Sequence, residues 1–141
     1  MFDVVLVGAD DSPTARRAVE AACEICAMSK GTLHILTAFE QLSTVGGTSA
    51  HEFKNVITED DGTALLQTLS FIAKKHGVEP ILHGSKGDPA DSLIAKADEV
   101  GADLIVVGNR GMKGVRRVLG SVPNSVAHGA ACSVLIVDTT E

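Results

Sequence analysis

A chain of 141 residues with 45% hydrophobic content and a formal net charge of −6 has the length of one globular domain, able to bury roughly two thirds of its unfolded surface. Its acidity argues against a general nucleic-acid binder, which needs a broad basic face, and no stretch approaches the roughly 18 continuous apolar residues of a membrane span. Three cysteines and an opening "MFDVVLVG" without a basic export signal argue against a disulfide framework, so the expectation is a single domain over 1–141, soluble and cytoplasmic.

Residues 3–8, "DVVLVG", read as the first strand. The "ADDSP" that follows turns abruptly polar, and Ser12 before Pro13 places an N-cap acceptor ahead of a proline at the first helical position. Cys23 and Cys26 form C-x-x-C well inside the first helix, where the N-terminal dipole cannot lower a thiol pKa. They read as buried core thiols. "TLHILTAF", 32–39, is the second strand. The segment 39–57 has no clear periodicity and contains Gly46 and Gly47, so it reads as a long loop, either a lid or a disordered stretch. The second helix places Glu59, Asp60 and Asp61 at its start and Lys74, Lys75 and His76 at its end before Gly77, matching the helix dipole. "EPILHGS", 79–85, is the third strand and carries His83 with no partner visible. Asp88 before Pro89 repeats the N-cap pattern ahead of Leu93, Ile94, Ala97 and Val100. "DLIVVG", 103–108, is the fourth strand, and Ser121 opens a short helix with Pro123 in its first turn. His128 and Cys132 lack zinc-site spacing, and His128 reads as a satisfied structural histidine. "SVLIVD", 133–138, is the fifth strand.

The first, fourth and fifth strands are apolar on consecutive residues, so both of their faces must be covered. The expected fold is therefore α/β, a doubly wound parallel sheet with helices on both faces. Ligands of such sheets bind beyond the carboxyl ends of the strands, where neighbouring strands send their connections to opposite sides. The first and fourth strands end in Gly8 and Gly108, and each runs directly into a polar loop. Adjacent strands would put both loops on one crevice.

The second of these loops has the composition of an anion cradle. Gly108, Gly111 and Gly120 are expected to permit positive φ and close backbone approach, while Ser121 and the helix start behind it offer unpaired N–H groups and a favourable dipole. No acidic residue lies between Asp103 and Asp138, whereas Arg110, Lys113, Arg116 and Arg117 are all cationic. With a screening length of about 8 Å, this local field governs what docks there. Neither G-x-x-x-x-G-K-[ST] nor G-x-G-x-x-G occurs. Asp10 and Asp11 are candidates to hold magnesium beside a phosphate, the alternative being that Asp11 only solvates the turn.

"VVGNRGMKGVRRVLGSVPNSVAHGAACSVLIVD", together with "VLVGADDSPTARRAVEAA" and "GDPADSLIAKADEVGADLIVVG", resembles the universal stress protein family over nearly the whole chain. Its nucleotide-binding branch carries G-x2-G-x9-G-[ST]. Here Gly108, Gly111, Gly120 and Ser121 match, with eight residues in the second gap rather than nine. The resemblance implies a five-stranded sheet in the order 3-2-1-4-5, of the adenine nucleotide alpha hydrolase type, and ATP as the ligand. It further implies that Asp10 and Ala9 lie near the base and ribose, that Ala38 and Val107 wall the adenine, and that Gly108, Arg110, Gly111, Gly120, Ser121 and Val122 surround the phosphates. Relatives dimerise through the last strand, so a homodimer is expected, with no nucleic-acid or membrane partner.

Three functional classes follow. The first is a nucleotide-binding stress or signalling protein, with ATP as ligand or, because a shorter loop suits fewer phosphates, AMP or cyclic AMP. The second is a slow ATP hydrolase, disfavoured because the basic loop offers no general base. The third is a scaffold without a nucleotide, which the intact glycines and Ser121 disfavour.

Overall fold

The computed structural model describes residues 1–12, 15–39, 59–109 and 119–139. Strands β1 (Val4–Gly8), β2 (Thr32–Phe39), β3 (Ile81–Lys86), β4 (Leu104–Gly108) and β5 (Ser133–Val137) alternate with helices α1 (Ala15–Ser29), α2 (Glu59–Lys75), α3 (Pro89–Val100) and α4 (Ser121–Gly129). The strands form one five-stranded sheet in the order β3-β2-β1-β4-β5, and every neighbouring pair is parallel. Both the doubly wound α/β architecture and the strand order agree with expectation.

Alternation along the central strands divides the core in two. Val5 and Val7 of β1, Leu33 and Ile35 of β2, and Leu104 and Val106 of β4 pack with Val19 and Ala22 of α1 and Leu69 and Ile72 of α2. The intervening Leu6, Leu36, Ile105 and Val107 pack with Leu93 of α3 and Val126 of α4. Each fully buried Val or Leu contributes about 1.5–3 kcal/mol of transfer free energy. Continuous apolar runs in β1 and β4 are thus consumed by two helix layers. Cys23 and Cys26 are buried in the α1 layer, and burial pushes each thiol up to about 11, as inert core residues require.

Local chemistry sets the helix ends. Asp88 sits extended at the N-cap of α3 and its carboxylate accepts the Asp91 N–H at 2.9 Å, with Pro89 following. Gly101 closes the same helix at φ 69°. Helix α1 ends differently, at Lys30 with φ 58°. Glycine is reserved for the next position, where a Cβ on Gly31 would stand 2.4 Å from the Phe2 carbonyl oxygen. Asp103 ties the entry of β1 to that of β4, accepting the N–H groups of Asp3 at 2.9 Å and Val4 at 3.1 Å. Burial pushes this carboxyl up, but those donors prevail and hold it below the usual carboxylate range.

Both faces of β5 are covered, Val134 and Ile136 packing against the α3–α4 core and Val137 against the α1–α2 core, although Leu135, on a strand that ends the strand order, is 37% exposed. Among the described residues, no helix is long and apolar enough to cross a membrane.

Candidate functional site

The chain leaves β1 toward the α1–α2 layer and leaves β4 toward the α3–α4 layer. β1 and β4 are neighbours, with Val5 opposite Leu104 and Val7 opposite Val106. Their carboxyl ends therefore open the crevice that this topology creates.

Gly8 ends β1 without a side chain because a Cβ there would stand 2.7 Å from Leu93 Cδ1. The Ala9 N–H donates to the Leu36 carbonyl at 3.0 Å, carrying the β1 exit toward the end of β2. Asp10 Oδ1 accepts the Ser12 N–H at 2.9 Å, a side-chain turn that fixes the carboxylate at the mouth of the loop. Ala38, near the end of β2, is half-buried and packs against the α3–α4 core. Val107 is buried in that same core.

The opposite wall is the start of α4. Gly120 is its N-cap, extended at φ −61° and ψ 162°, with no side-chain hydrogen bond at the cap. The first intrahelical bond runs from the Asn124 N–H to the Gly120 carbonyl at 3.1 Å. The N–H groups of Ser121 and Val122 precede it, and Pro123 has none to offer. Ser121 is exposed and Val122 half-buried, and the first turn contains no acidic residue. Two outward amides, a hydroxyl and the positive end of a helix dipole can hold an anion here.

The structure corrects one part of the glycine reading. Gly108 and Gly120 do not adopt positive φ; the described glycines that do are Gly77, Gly87 and Gly101. Gly108 packs closely instead: a Cβ would lie 3.0 Å from Thr139 Cγ2, tight enough that the threonine would have to give way. Arg110, Gly111, Lys113, Arg116 and Arg117 lie outside the described residues, as does the expected loop after β2 from residue 40 onward. His128 is not buried: it is exposed in the last turn of α4.

Three features were not visible in the sequence reading. His83 has a partner, His34 of β2, with Nδ1 of His34 2.8 Å from Nε2 of His83 and ring planes within 15° at a centroid separation of 5.1 Å. That separation exceeds the N···N distance by about two ring radii, so the imidazoles lie end to end in nearly one plane. Burial, and then the Lys96 ammonium, pushes both below the usual histidine value. Thr37 of β2 is fully buried and its Oγ1 has no hydrogen-bond partner among the described residues. Asn109, directly after Gly108, is buried and bonded to the segment following β5. Only for His83 did the sequence carry a signal, a polar ring inside an apolar strand; its partner needed the strand register.

The universal stress protein family profile matches residues 1–138. Universal stress protein Rv1636 of Mycobacterium tuberculosis is 36% identical, covering 99% of this chain and 98% of its own. Universal stress protein YxiE of Bacillus subtilis is 30% identical, covering 97% and 99%. Among solved structures, a universal stress protein in complex with cAMP is 37% identical with a TM-score of 0.78, covering 99% of each chain. A universal stress protein from Archaeoglobus fulgidus, 23% identical with a TM-score of 0.74 over 98% and 95%, shares the fold. With the family profile matched over residues 1–138 and relatives 30% and 36% identical along nearly the full length, the chain belongs to the universal stress protein family.

Proposed function

We propose that the chain binds an adenine nucleotide between the Ala9–Asp10 turn and the N-terminus of α4, and acts in stress signalling through ligand-dependent conformation or partner choice. The observation that carries this reading is the start of α4, where Gly120 is the N-cap without a side-chain hydrogen bond among the described residues and the Ser121 and Val122 N–H groups precede the first intrahelical bond. Ala9 and Asp10 take the base and ribose side, with Ala38 and Val107 as the adenine walls. Gly108, Arg110, Gly111, Gly120, Ser121 and Val122 take the phosphate side. The cytoplasm, and a homodimer paired along β5, are the proposed setting.

ATP is the ligand the family pattern implies, with magnesium held between its phosphates and Asp10 or Asp11. A single-phosphate ligand is the second reading. The shortened glycine segment and the 37% identical relative in complex with cAMP support it. Binding rather than rapid hydrolysis is proposed, because no acidic residue is present between Asp103 and Asp138 to act as a general base on the phosphate side.

Calorimetric titration with ATP, AMP and cyclic AMP tests the reading, with chromatography of whatever the purified chain releases on denaturation. Micromolar affinity for at least one, about −8 kcal/mol, is expected. Flat titrations and no released adenine compound would establish the scaffold reading instead.

A further inference from the structure

The last described residues of the chain reach back to the beginning of the glycine segment. Asn109 is 2% exposed and Thr139 4% exposed, and the two are bonded closely. Asn109 Oδ1 accepts the Thr139 N–H at 2.9 Å and the Thr139 hydroxyl at 3.0 Å. Asn109 Nδ2 donates to Asp138 Oδ1 at 3.1 Å, and the Asn109 backbone N–H donates to the Val137 carbonyl at 3.0 Å. Thr139 Cγ2 occupies the space that a side chain on Gly108 would need. The glycine of the ligand motif is thus shaped to receive a residue that lies beyond the final strand.

We infer that Asn109 is a positioning residue for the nucleotide, one that touches no ligand and acts by clamping the exit of β4 to Asp138–Thr139. The inference rests on the nucleotide-binding reading above. Its physical basis is that phosphate-binding amides lose affinity steeply when displaced, so their strand must leave the sheet at a fixed point and angle. A buried amide whose donor and acceptor are both satisfied supplies that fixity: losing the Thr139 hydroxyl halves the bonds Asn109 Oδ1 accepts, and removing the Asn109 side chain takes this acceptor from both the Thr139 N–H and its hydroxyl. Residues near the end of the chain are thereby part of the binding machinery.

The test uses the full chain and titrates ATP, AMP and cyclic AMP into each variant, alongside melting of the ligand-free protein. Asn109→Ala is expected to weaken whichever nucleotide the unaltered chain binds by about tenfold. Because removing a buried amide can unfold the chain, two variants at Thr139 carry the test independently. Thr139→Val keeps the shape against Gly108 but removes the hydroxyl donor, and is expected to bind several-fold more weakly. Thr139→Ser keeps the donor and loses the methyl, and is expected to bind like the unaltered chain. Space-filling alone would reverse that order. Equal affinity for all folded variants, or tighter binding by the valine variant than by the serine variant, overturns the clamp while leaving nucleotide binding intact. An unaltered chain that binds none of the three overturns the functional reading and the positioning role together.

Discussion

The His34–His83 pair shows how a contact between neighbouring strands can give a residue a property its own segment does not announce. One imidazole nitrogen must donate and the other accept for the 2.8 Å contact to exist, so the pair holds at most one proton between its facing nitrogens. A second proton would set two N–H groups against each other, beside the Lys96 ammonium that already opposes charge on both rings; Glu99 of the same helix only partly offsets it at His83. Both folded-state pKa values lie below the unfolded value of about 6.5. The folded chain therefore binds fewer protons there than the unfolded chain. The stabilisation is complete above about pH 6.5 and is lost as pH falls through the folded values. Urea denaturation at pH 7.5 and 5.0 is expected to show a smaller acid-induced loss of stability in His83→Gln than in the unaltered chain. An equal loss in both would place the acid sensitivity elsewhere.

Gly120 supports a second argument at this scale. Its φ of −61° is open to any residue, so Gly120→Val is expected to fold normally. The branched side chain would stand beside the outward amides of Ser121 and Val122 and crowd an incoming phosphate. Calorimetry is expected to show loss of nucleotide binding in a folded chain whose melting point falls only as far as a poorer N-cap costs, about 1 kcal/mol. Retained affinity would move the anion away from the start of α4.

At the scale of elements, legibility followed the locality of the signal. The start of α3 was readable because Asp88 and Pro89 act through neighbours a few residues away. Helix α2 was readable because its charges are graded along its own axis. The end of α1 was not readable, since the residue in the left-handed conformation is Lys30 and the glycine follows it. A distant contact decides that order, for the Phe2 carbonyl leaves no room for a Cβ on Gly31. Lys30 then holds a conformation that costs an L residue about 1–2 kcal/mol. Lys30→Gly relieves that cost and adds chain entropy to the unfolded state, for a net stabilisation of about 0.5–1 kcal/mol. A higher denaturation midpoint is the expected result. Gly31→Ala, which forces a shift of backbone rather than of a flexible side chain, is expected to lower it.

For the whole molecule, the crevice was legible because β1 and β4 advertise themselves as interior strands and each ends in glycine before a polar turn. What the glycines do there was not legible. Gly8 yields to Leu93 of α3 and Gly108 to Thr139 beyond β5, contacts between segments far apart in sequence. The same long-range logic leaves β5 at the border of the sheet, with no strand along one side among the described residues and Leu135 partly open to solvent. Such an edge invites another strand unless charge or proline blocks it, and "SVLIV" contains neither. A second copy of this chain supplies an identical edge, and pairing two copies about a twofold axis buries both. Leu135→Lys places a charge on that border while β5 retains its pairing with β4 through Leu104↔Ser133 to Gly108↔Val137. Light scattering on the eluted protein is expected to give a dimer mass for the unaltered chain and a monomer mass for the lysine variant, with the fold of both intact. A dimer that survives the substitution would mean that the copies meet on a different face.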